Sequence, residues 1–388
     1  PSVLVNIVDS QIIAGETSDV TFTFSEQVTG FELGDLTVVG GTVTGLTTAD
    51  GGKTWSATFT PDANFTGTAS VTVKENSYTD LAGNKGTGGS DSADTDTQGP
   101  SVLVNIVDSQ IIAGETSPVT FTFSEQVTGF DLSDLDVVGG SVSNLTTADG
   151  GKTWSATFTP DANFTGTASV AVKDGSYTDA AGNPGSAGSD TVAVDTQAPT
   201  ASITLDGNIT PDDVINAAES KQDIAVTGTV GGDVKEGDTV TLTVNGKAFT
   251  GLVLADKTFS INVPGSDLVA DGDKVIDAKV TTTDAAGNST TVTDTEGYSV
   301  DTQGPSVVVD IVDGALNVAD KVSSVTFTFS EVPVGFSADD LSISGGTISN
   351  LVQSTSDPKV WTATFTATDG FTGTASVAVK DGSYTDAA

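Results

Sequence analysis

The chain has 388 residues, with 14 Lys plus Arg against 52 Asp plus Glu, a formal net charge of −38, and no His, Cys or Met. All the cations are lysines. Without His or Cys there is no side-chain zinc or haem ligation, no Ser-His-Asp or Cys-His nucleophile and no disulfide. An acidic chain without Arg is a poor match for a phosphate backbone or an anionic bilayer, so nucleic acid is excluded as a partner. No run of about 18 apolar residues occurs, so direct membrane insertion is excluded as well. The chain opens on Pro1 with no initiator Met or signal peptide, and is expected to be an internal fragment.

From the N-terminus, strand follows strand. Val3, Val5 and Ile7 alternate with Leu4, Asn6 and Val8, and Val20, Phe22 and Phe24 with Thr21, Thr23 and Ser25. Trp55, Ala57 and Phe59, then Ala69, Val71 and Val73, keep the same period of two. Gly, Asn and Asp turns punctuate these runs at Gly40-Gly41, Asp50-Gly51-Gly52 and Ala82-Gly83-Asn84. Roughly seven short strands in about 100 residues predict an Ig-like β-sandwich without the Ig disulfide.

The pattern then repeats. The stretch from Ser2 to Ser18 recurs word for word from Ser101, and Trp55 recurs as Trp154. A diverged copy carries Val325–Glu331 and Trp361. Between them lies a different module that shares only the edges of the repeat, with a short stretch at 211–220 that could form a helical turn. The predicted architecture is all-β: four tandem Ig-like β-sandwich domains in an elongated rod, bounded at 1–98, 99–197, 198–303 and 304–388, the last stopping before its final strand. Charge is spread evenly over them, −10, −10, −11 and −7, as a repeated device would have it and an acidic tail would not. Trp55, Trp154 and Trp361 are read as core anchors on the fifth strand, with sugar-stacking platforms as the alternative. Phe249 and Phe259 are expected to fill the centre of the third module, which has no Trp.

Four signatures, Phe24-Ser-Glu-Gln-Val-Thr-Gly-Phe31, Thr54–Pro61, Tyr177–Asn183 and the junctions 96–100, 195–199 and 301–305 (Asp-Thr-Gln-x-Pro), resemble the bacterial Ig-like repeats of very large, biofilm-type RTX adhesins. The resemblance covers nearly the whole chain, the third module being similar to a second Ig-like subfamily. It implies a monomeric fibre segment at the bacterial cell surface, extracellular after type I secretion. Its partners would be the neighbouring Ig-like repeats of the same chain, with calcium stiffening the linkers.

The carboxylates carry the chemistry. In an Ig-like sandwich the loops gather at two ends, which places Asp9, Asp62 and Asp96 opposite Glu125, Asp179 and Asn183 at the first junction. The second would join Asp108, Asp161 and Asp195 to Asp233, Asp284 and Asn288. The third would join Asp206, Asp271 and Asp301 to Glu331 and Asp386. Carboxylates converging with no Arg between them repel one another, and hard oxygen ligands in that number suit Ca2+, which takes 6–8 oxygens at about 2.3–2.6 Å. The alternative is a set of solvated acidic turns. Catalysis is excluded, because carboxylate pairs that recur in every repeat without cleft aromatics do not make a glycosidase site. Two functions follow: a calcium-stiffened spacer that projects a distal ligand-binding region, or an adhesion module in which one unit, foremost 198–303, grips a glycan or protein.

Overall fold

A computed structural model describes residues 1–388. The chain falls into two compact units: Pro1–Ala198 together with Ala286–Asn288, and Pro199–Ala285 together with Ser289–Ala388.

Repeat one, in the first unit, is a sandwich of two four-stranded sheets. One has the order β1 (Val3–Ile7), β3 (Ser18–Phe24), β7 (Thr54–Pro61), β6 (Gly41–Thr48). The other has the order β2 (Gln11–Ile13), β10 (Gly89–Asp96), β8 (Thr66–Val73), β5 (Leu36–Val39). Two short strands, β4 (Val28–Thr29) and β9 (Thr79–Asp80), pair at one end. Eight principal strands stand where roughly seven were expected, because the first strand divides at Val8–Ser10. Its first half pairs antiparallel with β3, and its second crosses to the other sheet and runs parallel to β10. The gap between the sheets is bridged there by a side chain: Ile7 N–H donates to Asp91 Oδ2 of β10 at 2.8 Å. The same bridge recurs from Ile106 to Asp190 and from Leu205 to Asp294.

The period of two is realised as read. Along β3, Ser18, Val20, Phe22 and Phe24 face inward while Asp19 and Thr23 are exposed. The core is aromatic, and Phe31 is its hub. Its ring meets those of Phe22, Phe24 and Trp55 edge-on at 5.2, 5.1 and 5.5 Å, and Tyr78 at 6.1 Å. Such edge contacts add about 0.5–1.5 kcal/mol each to the area they bury. The Trp reading needs correction: Trp55 and Trp154 lie on β7 and its counterpart and are only half-buried, at the margin of the core. Their indole N–H groups donate to Gly52 and Gly151 carbonyls at 3.3 Å. The centre is held instead by Phe22, Phe24, Phe59 and Tyr78, each almost wholly buried.

Repeat two reproduces this plan, with sheets of Val102–Ile106, Ser117–Phe123, Thr153–Pro160 and Gly140–Thr147, and of Gln110–Ile112, Gly188–Asp195, Thr165–Val172 and Leu135–Val138. Asp149 closes its β6–β7 type hairpin, accepting from Thr153 N–H (2.9 Å), Lys152 N–H (3.1 Å) and the Thr147 hydroxyl (3.0 Å). These bonds, the Thr153 N–H foremost, pull its carboxyl down to about 2. A folded value below the unfolded one, near 3.9, gives stability that is present above pH ~4 and lost as pH falls through about 2. Asp149→Asn is therefore expected to flatten part of the acid limb of the melting temperature between those values. A limb as steep as that of the parent chain would show that the turn contributes nothing.

In the second unit, the module after Pro199 pairs Ala201–Leu205, Asp223–Gly232 and Thr258–Pro264 against the sheet Lys247–Leu252, Thr239–Val244, Val275–Thr283, Ser289–Gly297. Phe259 is central as expected, while Phe249 packs half-buried on the core. Of the stretch 211–220, only the end is helical, in a single 3-10 turn at Glu219–Lys221, while Val214–Ile215 is a short strand; a six-residue helix α1 (Gly265–Ala270) stands where none was foreseen. The last repeat keeps the four-stranded sheet Val307–Ile311, Val322–Phe329, Val360–Ala367, Gly346–Gln353; its second sheet is the pair Leu341–Ser344 and Ser376–Val379. Trp361 Nε1 is buried there without a partner; the carbonyl at the position of Gly52 and Gly151, that of Pro358, accepts from Gln353 Nε2 at 2.7 Å instead.

Candidate metal centres

Two groups of three carboxylates converge, one in each unit: Asp96, Glu125 and Asp179, and Asp301, Glu331 and Asp386, each with one oxygen per residue inside a common 4.8 Å spread. Each triad draws on the same three sequence positions. Asp96 ends β10, Glu125 lies just beyond the strand Ser117–Phe123, and Asp179 follows the backbone pairing of Thr178 with Thr128. Asp301 follows the short strand Ser299–Val300, Glu331 follows Val322–Phe329, and Asp386 follows the pairing of Thr385 with Val334.

Local hydrogen bonds aim these groups. Asp96 Oδ1 accepts from the Thr66 hydroxyl (2.9 Å) and Gln98 N–H (3.2 Å). Asp179, 2% exposed, accepts at Oδ1 from Gly182 N–H (2.7 Å) and Asn183 N–H (2.9 Å), and at Oδ2 from Asn183 Nδ2 (2.8 Å). In the second triad, Gln303 N–H donates to Asp301 and Ala388 N–H to Asp386. The lysine ion pairs, Lys173–Asp136, Lys247–Asp267 and Lys321–Asp369, take up none of the six carboxylates. Burial pushes the Glu125 carboxyl above its ordinary range, Asp179 and Asp96 add to the push, and Lys152 opposes it. An acid raised in this way is strained when ionised, and a cation placed among the three relieves the strain.

The residues fit a hard divalent ion of calcium's size. Two oxygens on one Ca2+ lie no more than about 5 Å apart, and each set is inside that limit. A smaller ion such as Mg2+, with bonds near ~2.0–2.1 Å, would need a tighter set.

The other expected residues are placed elsewhere. Asp9 and Asp108 give their N–H groups to Ser18 and Ser117. The main-chain carbonyls of Asp62 and Asp161 accept from the Thr97 and Thr196 hydroxyls, at 2.7 and 2.6 Å. None of these four joins a group of three carboxylates. Asn183 is wholly buried, and its Oδ1 accepts from Ala14 N–H at 2.8 Å, so that oxygen is engaged by the backbone. Asn288, which clusters with the first unit, does the same with Ala113 N–H (2.8 Å) and donates to the Asp195 carbonyl (3.0 Å). The Asp195 carboxylate accepts from the Thr165 hydroxyl and from Gln197 N–H. In the second unit, Asp233 binds both the N–H and hydroxyl of Thr200, and Asp206 the Thr227 hydroxyl. Asp271 is buried against Asn245 N–H and the Tyr298 hydroxyl. Asp284 lies just beyond the strand Val275–Thr283. Sequence reasoning missed Ala14 and Ala113, whose contribution is a backbone N–H and leaves no mark in residue type.

Repeated antiparallel sandwiches with acids gathered at loop ends define a class: tandem Ig-like modules, an architecture typical of non-catalytic structural and adhesion proteins. The family model described as bacterial Ig-like domain matches residues 1–95, 96–194 and 301–388, and the chain belongs to that family. No curated protein matches it. Among solved structures, it is similar to a bacterial immunoglobulin-like domain from the M. primoryensis ice-binding adhesin, with 48% identity over 27% of this chain and 100% of that one, TM-score 0.25. A structure of a 1.5-MDa bacterial ice-binding adhesin is 32% identical over 78% of this chain and 99% of its own, TM-score 0.42. A Ca2+-stabilized adhesin that helps an Antarctic bacterium reach out and bind ice is 29% identical over 100% of this chain and 98% of its own, TM-score 0.47.

Proposed function

We infer that the chain is a calcium-stiffened spacer of a bacterial surface adhesin of the RTX, type I-secreted kind, acting outside the cell to carry a distal ligand-binding region. Its working units are 1–98, 99–197, 198–303 and 304–388. The observation that carries this reading is the triad built twice from the same three positions, the junction Asp, the Phe-Ser-Glu acid and the Tyr-Thr-Asp acid, with no lysine paired to it. Asp96, Glu125 and Asp179 would hold one ion and Asp301, Glu331 and Asp386 another. When bound, Ca2+ replaces mutual repulsion by shared ligation. At ten times Kd each ion would add about 1.4 kcal/mol to the state that binds it. Extracellular modules bind with Kd of about 10⁻⁴–10⁻³ M, so the sites would fill outside a cell and stay empty in a cytosol poor in calcium.

Isothermal titration of the full chain with CaCl2 tests this. At least two ions are expected to bind, with Glu125→Gln weakening one site about tenfold or more and Glu331→Gln weakening another. Binding of no calcium at millimolar concentration, or titrations unchanged by both substitutions, would refute it.

A further inference from the structure

Asn183 offers a second kind of contact at the first triad, one that involves no charge. Its loop, Tyr177–Asn183, belongs to repeat two, yet its Oδ1 accepts from Ala14 N–H of repeat one at 2.8 Å while the side chain is fully buried. The preceding Gly182 has φ +105°, and a Cβ there would come within 3.7 Å of Ile13 Cδ1, so the bare backbone sits against the end of β2. On the other side of the linker, a Cβ on Gly99 would lie 2.2 Å from the Pro184 carbonyl oxygen. Pro100, the next residue, receives the Tyr177 hydroxyl at 3.3 Å. The same pair of contacts recurs in the first unit with the same distances: Asn288 on Ala113 at 2.8 Å and Gly287 on Ile112 at 3.7 Å.

We propose that the Ala-Gly-Asn loop of repeat two and the Ile-Ile-Ala end of β2 in repeat one form a neutral socket that sets how these two repeats dock, and that Asn183 is its positioning residue. An ion held by three carboxylates attracts without direction, since each carboxylate can pivot about it. A buried amide carries donors on its nitrogen and acceptors on its oxygen, in fixed directions. Asn183 spends its Nδ2 on Asp179 and its Oδ1 on Ala14, which ties the carboxylate of the triad to the neighbouring repeat's backbone in one register. The socket needs no metal, so this proposal goes beyond the calcium reading and stands or falls apart from it.

Because the chain has no Cys, nitroxides at Thr44→Cys and Ser143→Cys, both exposed, report the distance between the repeats in the full chain by pulsed dipolar EPR. In chelator the distance distribution is expected to peak where it does in calcium, though more broadly. Adding Asn183→Ala should broaden or move the peak even in saturating calcium. A peak in chelator at a different distance, or an Asn183→Ala distribution identical to the parent's in calcium, would overturn the proposal. If Asn183→Ala prevents repeat two from folding, amide exchange of the parent chain decides. The Ala14 N–H should exchange in chelator about tenfold or more slowly than a free amide, the equivalent of one net hydrogen bond, and exchange at the free rate would overturn the idea. Calcium affinity is measured separately, so a failed socket and a failed metal site give different results.

Discussion

Phe121→Ala is expected to destabilise repeat two by about 3–5 kcal/mol, the usual cost of emptying a core aromatic site. Phe121 is wholly buried and meets Phe130 edge-on at 5.2 Å; Phe130 in turn meets Phe123, Trp154 and Tyr177. Losing one ring leaves the hub short of a neighbour on the strand that leads to Glu125. For a unit of this size such a loss lowers the melting temperature by roughly 12 °C or more. Trp154→Ala should cost less, because that side chain is half-exposed at the margin. Scanning calorimetry of the two variants settles the order. A Trp154→Ala chain that melts well below Phe121→Ala would move the centre of the core to the indole.

Gly185→Val should also be strongly damaging, by a different route. A Cβ at this position would lie 2.1 Å from Cε2 and 2.2 Å from Cζ of Tyr177, and that ring is 1% exposed with no direction in which to yield. Overpacking typically costs about 1–3 kcal/mol, and a contact this close falls at the upper end. Tyr177 also anchors the loop of Asp179 by donating its hydroxyl to the Ser186 carbonyl at 2.7 Å. The variant is therefore expected to lose calcium at the first triad while keeping every carboxylate, and the second triad, in the other unit, should titrate normally. Unchanged melting and unchanged binding would mean that the loop adjusts freely and that Tyr177 is not its anchor.

Much of the fold was legible because period-two patterning maps directly onto two faces, and one of them is buried. The divided first strand was not: Val8-Asp9-Ser10 reads as an ordinary strand end, and only the parallel pairing of Gln11–Ile13 with β10 shows that the chain has changed sheets. The helix Gly265–Ala270 was hidden by its brevity, six residues between Pro264 and Asp271. At the candidate site, the six acids that meet were named, because each stands where a strand delivers it to a loop end. The expected residues outside the triads have physical reasons for their placement too. Asp62 and Asp161 sit at the right end of their repeats; a Thr hydroxyl donates to the main-chain carbonyl of each and holds the local turn, and their carboxylates lie outside the two triads. Asn183 has the composition of a calcium ligand, and an amide can also satisfy a buried N–H, as its Oδ1 does for Ala14. Asp271 lies at a loop end too, where the Tyr298 hydroxyl and Asn245 N–H satisfy it.

The central claim is that calcium, acting through the two triads, stiffens this chain. Small-angle scattering of the full chain in millimolar CaCl2 and in excess chelator tests it most directly, with Glu125→Gln,Glu331→Gln as the control. The account predicts a larger and better-defined maximum dimension with calcium, a more flexible profile in chelator, and little response to calcium in the double variant. Superimposable profiles of the parent chain in calcium and in chelator would contradict it.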